Sequence, residues 1–260
     1  MTLGEGISKP IKTFFIEAGE LSQFAIRFFR EGFRPPYEFQ ELLRQSYEIG
    51  YRSIPLVSFT AFIMGLVITI QSHPALEVFG AESWLPSIVS VSLVREITPV
   101  ITALICAGKI GSSIGAEIGS MKVTEQIDAM EVSGTNPFKY LVATRVLSTT
   151  IMLPLLVIFG DMIALYGGFL GVNIRGVTTF DLYTTQVFNK LTFGDVLPSI
   201  IKSIFFGFVI GLVGSFKGYT TSNGTEGVGR SANAAVVISS FIVFIVDLLA
   251  AQISDILHLL

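Results

Sequence analysis

The sequence contains few charged residues, one cysteine and two histidines. Charged side chains make up 14% of the 260 residues, against roughly 25% in a typical soluble domain. A soluble protein of this length needs about a quarter or more of its surface charged to stay dispersed. Apolar residues reach 51%, and the mean hydropathy is +0.68. The composition therefore excludes a soluble protein and predicts an integral membrane protein.

The scarcity of reactive side chains excludes most kinds of catalytic or metal site. Cys106 lies alone in an apolar tract, so it supports neither a disulfide framework nor a thiolate metal site. His73 and His258 are far apart and lack the spacing of metal ligands. No nucleophile is accompanied by a base, and no basic run predicts nucleic-acid binding. We predict no catalytic residues, no metal and no cofactor in this chain.

Five apolar tracts predict five membrane-spanning helices. Ser53–Leu76 is free of charge and long enough to cross a bilayer. Each of the other four contains at least one charged residue and, taken alone, resembles a buried helix of a soluble protein. Five such tracts leave too little polar chain to cover them, and they do not alternate as barrel strands must. The predicted spans are residues 54–72, 85–108, 146–172, 196–216 and 232–256.

Lysine and arginine residues are concentrated on one predicted side of the membrane. The segments on the N-terminal side hold 13 of the 17 basic residues, whereas the opposite segments hold only Arg175 and Lys190. By the positive-inside rule, the N-terminus is predicted in the cytoplasm and the C-terminus outside. The N-terminal-side segments are 1–53, 109–145 and 217–231, and the opposite segments are 72–84 and 173–195.

Residues 1–53 are too charged to span and predict two amphipathic helices. Ile11–Phe33 is rich in phenylalanine but dotted with charges, which is typical of a helix lying in the membrane interface. A soluble helical cap is the alternative. Pro35 and Pro36 end this helix, and Tyr37–Arg52 is predicted to lead into the first span. The phenylalanines expected to face the membrane are Phe14, Phe15, Phe24, Phe28 and Phe29.

Ionisable residues inside the spans are the most informative local feature. A charge at bilayer depth costs ~2.5–3.5 kcal/mol, so such a residue usually faces a partner or a polar cavity. Arg95, Glu96, Lys202 and Asp247 sum to zero charge, and we expect a network across spans two, four and five. A structural ion cluster that fixes helix register is the alternative. Asp161 is expected nearer a helix–helix contact.

Glycine spacing indicates where helices touch. Gly207 with Gly211, and Gly214 with Gly218, follow the GxxxG pattern, which allows close backbone approach in lipid. The same spacing recurs in the run from Gly111 to Gly119. We predict that these faces pack against other helices.

Residues 109–139 form the least lipid-like internal segment. Glu117–Glu131 predicts an amphipathic acidic helix that ends before Gly134. Helix connections in bundles are usually shorter, and anionic lipid would repel a helix of this charge lying on the membrane. A helix that docks into a groove of a soluble partner is therefore favoured. The predicted docking residues are Glu117, Met121, Glu125, Asp128 and Met130.

The run LVREITPVITALICAGKIGSSIGAEIGSMKVTEQIDAME, Leu93–Glu131, closely resembles the signature of the MlaE permease family. These proteins are the membrane subunits of ABC lipid transporters that work with MCE-domain proteins. The phrases REITPV, AGKIGS, AEIGSM and TEQ stand at uninterrupted spacing. The likeness extends over about residues 10–258.

This resemblance implies a fold, a location and partners. The fold is all-α, with interfacial helices in 1–53 and a five-span permease domain in 54–258 that includes a coupling helix at about 115–132. The protein would be a homodimer in the bacterial inner membrane. Its implied partners are a cytoplasmic ABC ATPase that binds ATP and Mg, a periplasmic MCE-domain protein and a STAS-domain accessory protein.

The implied function is phospholipid movement between the inner membrane and the MCE protein, in support of outer-membrane lipid asymmetry. The four intramembrane charges correspond to those of the family. Exposing the ~30 methylenes of a two-chain lipid to water costs ~24 kcal/mol, so the cavity between two subunits needs a continuous apolar lining. The candidate lining residues are Phe62, Leu66, Ile70, Ile238, Phe241 and Ile245.

Two other functions are compatible with a multi-span protein. An ion-coupled secondary transporter would use the intramembrane charges as a relay, but it predicts inverted repeats, whereas five spans do not divide evenly and no repeat is seen. A lipid-modifying enzyme requires a His/Asp or metal constellation that the sequence lacks. ABC permease function is therefore favoured.

Overall fold

The computed structural model describes residues 3–35, 37–174, 178–222 and 224–256, excluding the side chains of residues 3–11, 13 and 14. Within these ranges all regular structure is helical, which confirms the predicted all-α fold. The α-helices are α1 Leu3–Glu31, α2 Phe39–Gly50, α3 Ile54–Val78, α4 Leu85–Ser92, α5 Thr98–Cys106, α6 Ser112–Val123, α7 Gln126–Val132, α8 Thr144–Asn173, α9 Phe180–Lys190, α10 Phe193–Tyr219 and α11 Gly224–Ile256.

Several of these helices join end to end. In the described part of the chain they form five helices that are long and apolar enough to cross a membrane, which confirms the predicted number of spans. The predicted helix at Tyr37–Arg52 leads into span one, as expected: α2 continues into α3 through a 3₁₀ turn at Tyr51–Ser53. The five long helices, here called spans one to five, are Phe39–Val78, Glu82–Val123, Phe138–Asn173, Phe193–Tyr219 and Gly224–Ile256.

Span two is irregular where it carries its charges. Leu93–Ile97 is a π-helical turn that contains Arg95 and Glu96, and the amide of Thr98 bonds to the carbonyl of Leu93, five residues earlier. Pro99 follows and has no N–H to continue the α-helical pattern. Such π-turns are frequent at functional sites, and this one sets the directions of the two adjacent charged side chains.

Helix α1 lies against spans three and four through two of its phenylalanines. The ring of Phe24 meets those of Phe138 and Phe216 with centroids 5.1 and 5.5 Å apart. Phe28 is 2% exposed and packs on Phe208. Phe24 and Phe28 therefore face the protein and not the membrane, since their i, i+4 spacing places them on one stripe. Phe15 and Phe29 are exposed, as expected, and the side chain of Phe14 lies outside the described residues.

The predicted glycine faces make helix contacts. A Cβ at Gly207 would clash with the backbone of Thr149 on α8, and one at Gly218 would lie 2.8 Å from the Cβ of Ile118 on α6. The two GxxxG pairs of α10 thus contact different neighbouring helices. The first pair lets α10 approach span three, and the second lets it approach span two.

The segment between spans three and four contains a further helix, α9. Its Tyr183 donates a hydrogen bond to the carbonyl of Leu165, at 2.9 Å, and is buried. This burial raises the pKa of the Tyr183 hydroxyl, so the side chain stays neutral and hydrogen-bonded. Arg175, which the positive-inside argument used, lies outside the described residues.

Candidate functional site

Three of the four predicted intramembrane charges meet around one lysine. Lys202 on α10 is buried, and its Nζ donates to Glu96 Oε2 at 2.6 Å and to Asp247 Oδ1 at 2.9 Å. This lysine cluster, Lys202 with Glu96 and Asp247, connects spans two, four and five. The ammonium is buried while the side chains of Glu96 and Asp247 remain 41% and 21% exposed. The cluster therefore presents carboxylates on an otherwise apolar surface.

Arg95 belongs to a different ion pair, which corrects the predicted four-charge network. Its Nη2 lies 2.6 Å from Asp195 Oδ1. Neighbouring residues on a helix point in different directions, so Arg95 turns away from the partner of Glu96. Asp195 is the last residue of the segment 173–195, which the charge distribution predicts on the side opposite the N-terminus. In the structure it lies in the first turn of α10, buried and ionically paired.

Asp195 is held in place by a capping box. Its Oδ2 accepts hydrogen bonds from the amide and the hydroxyl of Thr192, each at 2.8 Å. The Thr-x-x-Asp spacing before an apolar run is the sequence signature of this motif. That signature, rather than charge counting, was the signal that places Asp195 at a helix start.

Asp161 lies beside a close helix contact, as expected. A Cβ on the adjacent Gly160 would lie 3.1 Å from Thr98 Cγ2 and 3.4 Å from Thr102 Oγ1, both on α5. Among the described residues the buried Asp161 Oδ1 has no hydrogen-bond partner. Asp161 does not join the lysine cluster.

The predicted helix over Glu117–Glu131 is divided into two. Helix α6 ends at Val123, and α7 begins at Gln126. Between them Glu125 has a left-handed backbone with φ of 59°, and the hydroxyl of Thr124 bonds to the carbonyl of Ser120 at 2.8 Å, which closes the end of α6. Helix α7 ends before Gly134, as predicted; this glycine has φ of 82°.

The five predicted docking residues do not form one surface. Met121 and Met130 are half-buried and pack against the apolar core around Ile127. Glu125 and Asp128 are exposed, and Asp128 pairs with Lys122 across the break at 3.0 Å. The accessible part of this segment is therefore acidic, whereas Met121 on α6 and Met130 on α7 pack into the bundle.

Glu117 points toward span three, where it meets a residue that sequence reasoning missed. Arg145 is 1% exposed, and its Nη2 lies 2.8 Å from Glu117 Oε1. Its Nη1 also donates to the carbonyl of Leu141 at 3.0 Å. From the sequence, Arg145 was only one of the basic residues that indicate orientation. The structure makes it the link between α6 and α8.

The candidate lining residues lie on two differently covered helices. Phe62, Leu66, Ile70 and Ile238 are half-buried, whereas Phe241 and Ile245 are 62% and 43% exposed. In the most apolar stretch of span five only 17% of the residues are buried, and in that of span one 28%. In the corresponding stretches of the other three spans, 44–50% of the residues are buried. The exposed apolar side chains of span five continue beyond these two residues: Val237, Phe244, Leu248, Leu249 and Ile253.

Comparison with known proteins agrees with this architecture. The family described as "Permease MlaE" matches residues 42–253. The chain belongs to the MlaE permease family. A probable ABC transporter permease protein of Rickettsia felis is 37% identical over 257 residues, covering 97% of this chain and 98% of the relative. The intermembrane phospholipid transport system permease protein MlaE of Haemophilus influenzae is 32% identical over 216 residues, covering 83% of each chain.

The MlaE permease match begins inside α2 and ends inside α11, so it includes all or most of each span and leaves α1 outside. The lysine cluster, the α6–α7 segment and Arg145 all lie within it. A probable ABC transporter permease protein of Synechocystis, 36% identical over 203 residues, covers 78% of this chain and 77% of its own length. The family and the five apolar helices together make this chain a multi-pass membrane permease.

Proposed function

We propose that the chain is the permease subunit of an ABC transporter that moves phospholipids between the bacterial inner membrane and a periplasmic MCE-domain protein. The name of the Haemophilus relative supports the substrate class. The observation that carries the proposal is a polar cluster in an otherwise apolar surface. The partly exposed carboxylates of Glu96 and Asp247 accompany the exposed apolar side chains of span five. A phospholipid presents the same pairing of charged head and apolar tails.

A homodimer would complete the cavity. The least covered spans of one chain, one and five, offer apolar faces that a second copy and the acyl chains would share. Burying acyl chains there avoids their cost in water, ~0.8 kcal/mol per methylene. The candidate lining residues on these spans keep this role as part of the proposal.

Within this cavity the lysine cluster would respond to the lipid head group. A phosphate that accepts a hydrogen bond from Lys202 Nζ competes with Glu96 and Asp247 for the same ammonium. Binding would then loosen the ionic link among spans two, four and five. This exchange relates occupancy of the cavity to the packing of three helices.

The motor would be a separate cytoplasmic ATPase that binds ATP and Mg, since this chain offers no catalytic constellation in its sequence. Glu125 and Asp128 are the exposed acidic groups it would contact. Because Ile127 is 1% exposed and locked in the core, movement of α7 would carry the bundle with it. The proposal also includes a STAS-domain accessory protein as a partner of the transporter. The lipid transfer would support the lipid asymmetry of the outer membrane.

The proposal is tested by reconstitution of the chain with its ATPase in proteoliposomes. We expect ATP-dependent transfer of a fluorescent phospholipid to a purified MCE-domain acceptor, and no transfer when the ATPase is inactivated. Transfer that follows an imposed ion gradient without ATP would instead support the ion-coupled transporter.

The same preparation tests orientation. A cysteine added at the C-terminus should react with a membrane-impermeant reagent only from the side opposite the ATPase. Labelling from the ATPase side would contradict the proposed arrangement, with the N-terminus in the cytoplasm and the C-terminus in the periplasm.

A further inference from the structure

A cavity lies between the end of α1, which is outside the matched family region, and the start of span three, which is inside it. It has a volume of about 690 Å³ and is open to the surface. Four cationic side chains and one carboxylate line it, which leaves a net charge of +3 when all are ionised. The charged lining residues are Arg27, Arg30, Arg34, Lys139 and Glu31.

Most of this positive charge is unpaired. Arg27 bonds to Glu31 at 2.9 Å and lies 4.2 Å from the centroid of the Phe138 ring. Among the described residues, neither Arg30 nor Arg34 has a carboxylate within ion-pairing distance. Lys139 Nζ donates only to backbone carbonyls in this part of the chain, so its charge also stays uncompensated.

The two walls of the cavity are tied together. Lys139 Nζ lies 3.2 Å from the carbonyl oxygen of Arg34 and 3.1 Å from that of Pro35. Asn136 Nδ2 lies 3.4 Å from Glu31 Oε2. These contacts connect the end of α1 to Lys139 at the start of span three and to Asn136 in the turn before it. The cavity is therefore built before any ligand arrives, and its open donors are those of Arg30 and Arg34.

An exposed apolar stripe runs beside the basic one. Ile26, Phe29 and Phe33 are 67%, 58% and 56% exposed, and the last two rings stack with centroids 6.3 Å apart. Their spacing of three and four residues places them on one side of the helix and the turn after it. Arg27 and Arg30 lie on a neighbouring side. A helix with adjacent apolar and basic stripes lies at the boundary between acyl chains and head groups.

We propose that this cavity binds the head group of an anionic phospholipid from the leaflet in which α1 lies. The phosphate would accept hydrogen bonds from Arg30 and Arg34, and the acyl chains would lie along Ile26, Phe29 and Phe33. The apolar stripe favours a lipid over an acidic protein surface, because a soluble partner would leave these three side chains in water. Basic pockets at this level are sites for anionic head groups.

The site is distinct from the transport cavity, but it rests on the proposed function of the chain as a membrane permease and on the interfacial position that the sequence predicts for α1. It assigns a role to the end of α1, which the family match leaves out, together with Asn136 and Lys139 inside the match. A bound lipid would hold the end of α1 against the turn before α8. The segment α6–α7 leads into that same turn, so the lipid would also steady the proposed contact with the ATPase.

The experiment uses the whole transporter, purified in detergent and titrated with phosphatidylglycerol or phosphatidylcholine. We expect native mass spectrometry to show more phosphatidylglycerol than phosphatidylcholine retained per transporter, and a larger rise in the thermal midpoint with phosphatidylglycerol. The transport cavity takes either lipid, whereas the basic cavity takes the anionic one. The variant R30Q/R34Q should weaken this binding roughly tenfold or more, since two charges near the membrane surface are lost. Arg230→Gln, an exposed arginine paired with Glu226, is the matched control and should bind as the original chain does.

Further measurements identify the ligand and the role of the cavity. Inorganic phosphate should produce no thermal shift at the same concentration; an equal shift would overturn the lipid assignment. Equal phosphatidylglycerol binding by R30Q/R34Q would also overturn it. Loss of the ATPase from R30Q/R34Q with lipid binding unchanged would assign the cavity to a protein partner.

Transfer from purely zwitterionic vesicles separates this inference from the proposed function. R30Q/R34Q should transfer such lipids normally when the transporter is assembled. Absence of transfer by the unaltered chain as well would refute the proposed function and leave the binding measurements to decide the site.

Discussion

Arg145 Nη2 lies 2.8 Å from Glu117 Oε1, although the arginine is 1% exposed and the side chain of the glutamate is 48% exposed. The pair joins α6 to α8 at the border between buried and accessible residues. A buried guanidinium that loses its carboxylate keeps its desolvation cost without compensation.

We therefore expect Glu117→Ala to destabilise the chain by about 1–3 kcal/mol. Glu117→Gln should cost less, because the amide oxygen still accepts from Arg145. The thermal unfolding midpoint in detergent measures both variants. Equal midpoints for Glu117→Ala and the original chain would show that the pair contributes nothing to stability.

The lysine cluster should matter for transport more than for assembly. Lys202→Ala or Glu96→Ala is expected to reduce ATP-driven lipid transfer while the complex with the ATPase still forms. Removing one partner leaves uncompensated charge in an apolar region, which costs roughly 3–5 kcal/mol for a fully buried pair and less here because Glu96 is 41% exposed.

A neutral version of the cluster separates the two roles. The triple variant K202M/E96Q/D247N removes all its charges together, so stability should return toward that of the original chain while transfer stays low. Normal transfer by Lys202→Ala and Glu96→Ala would show that the cluster only fixes helix register and takes no part in transport.

Charge reversal on the α6–α7 segment should release the ATPase. E125K/D128K replaces two exposed carboxylates and should lower co-purification of the ATPase at least several-fold. A groove that binds an acidic segment would be positively charged, and the new lysines would be repelled by it. Glu226→Lys is the matched control, since Glu226 is exposed on α11 and lies outside this segment. Unchanged co-purification of E125K/D128K would contradict the docking role.

Close packing between α10 and α8 should tolerate no side chain at Gly207. Gly207→Val places a Cβ against the backbone of Thr149 and should destabilise the chain by about 1–3 kcal/mol or more. Gly229→Ala is the control, because nothing lies within 4 Å of its added Cβ. Similar thermal midpoints for these two variants would refute the close approach.

Composition and hydropathy predict the five spans because burial in lipid depends on the sum of many apolar residues. The ion-pair partners of individual charged residues do not follow from such sums. Lys202 with Glu96 and Asp247 followed from the cost of burying charge, whereas Arg95 required knowing that Asp195 begins a helix. Similarly, the helical pattern of Glu117–Glu131 is continuous in residue type. The break comes from the left-handed backbone of Glu125, a conformation that is uncommon for residues other than glycine and that this pattern does not predict.

Span five touches the rest of its own chain mainly through small and β-branched residues, the buried ones being Gly227, Ala235, Ser239 and Val243. Such small residues allow close approach of neighbouring helices but supply no charge. Among the described residues, the ion pair between Lys202 and Asp247 is the one that joins span five to another span. A head group that took the ammonium of Lys202 away from Asp247 would therefore leave span five without its ionic link to the bundle.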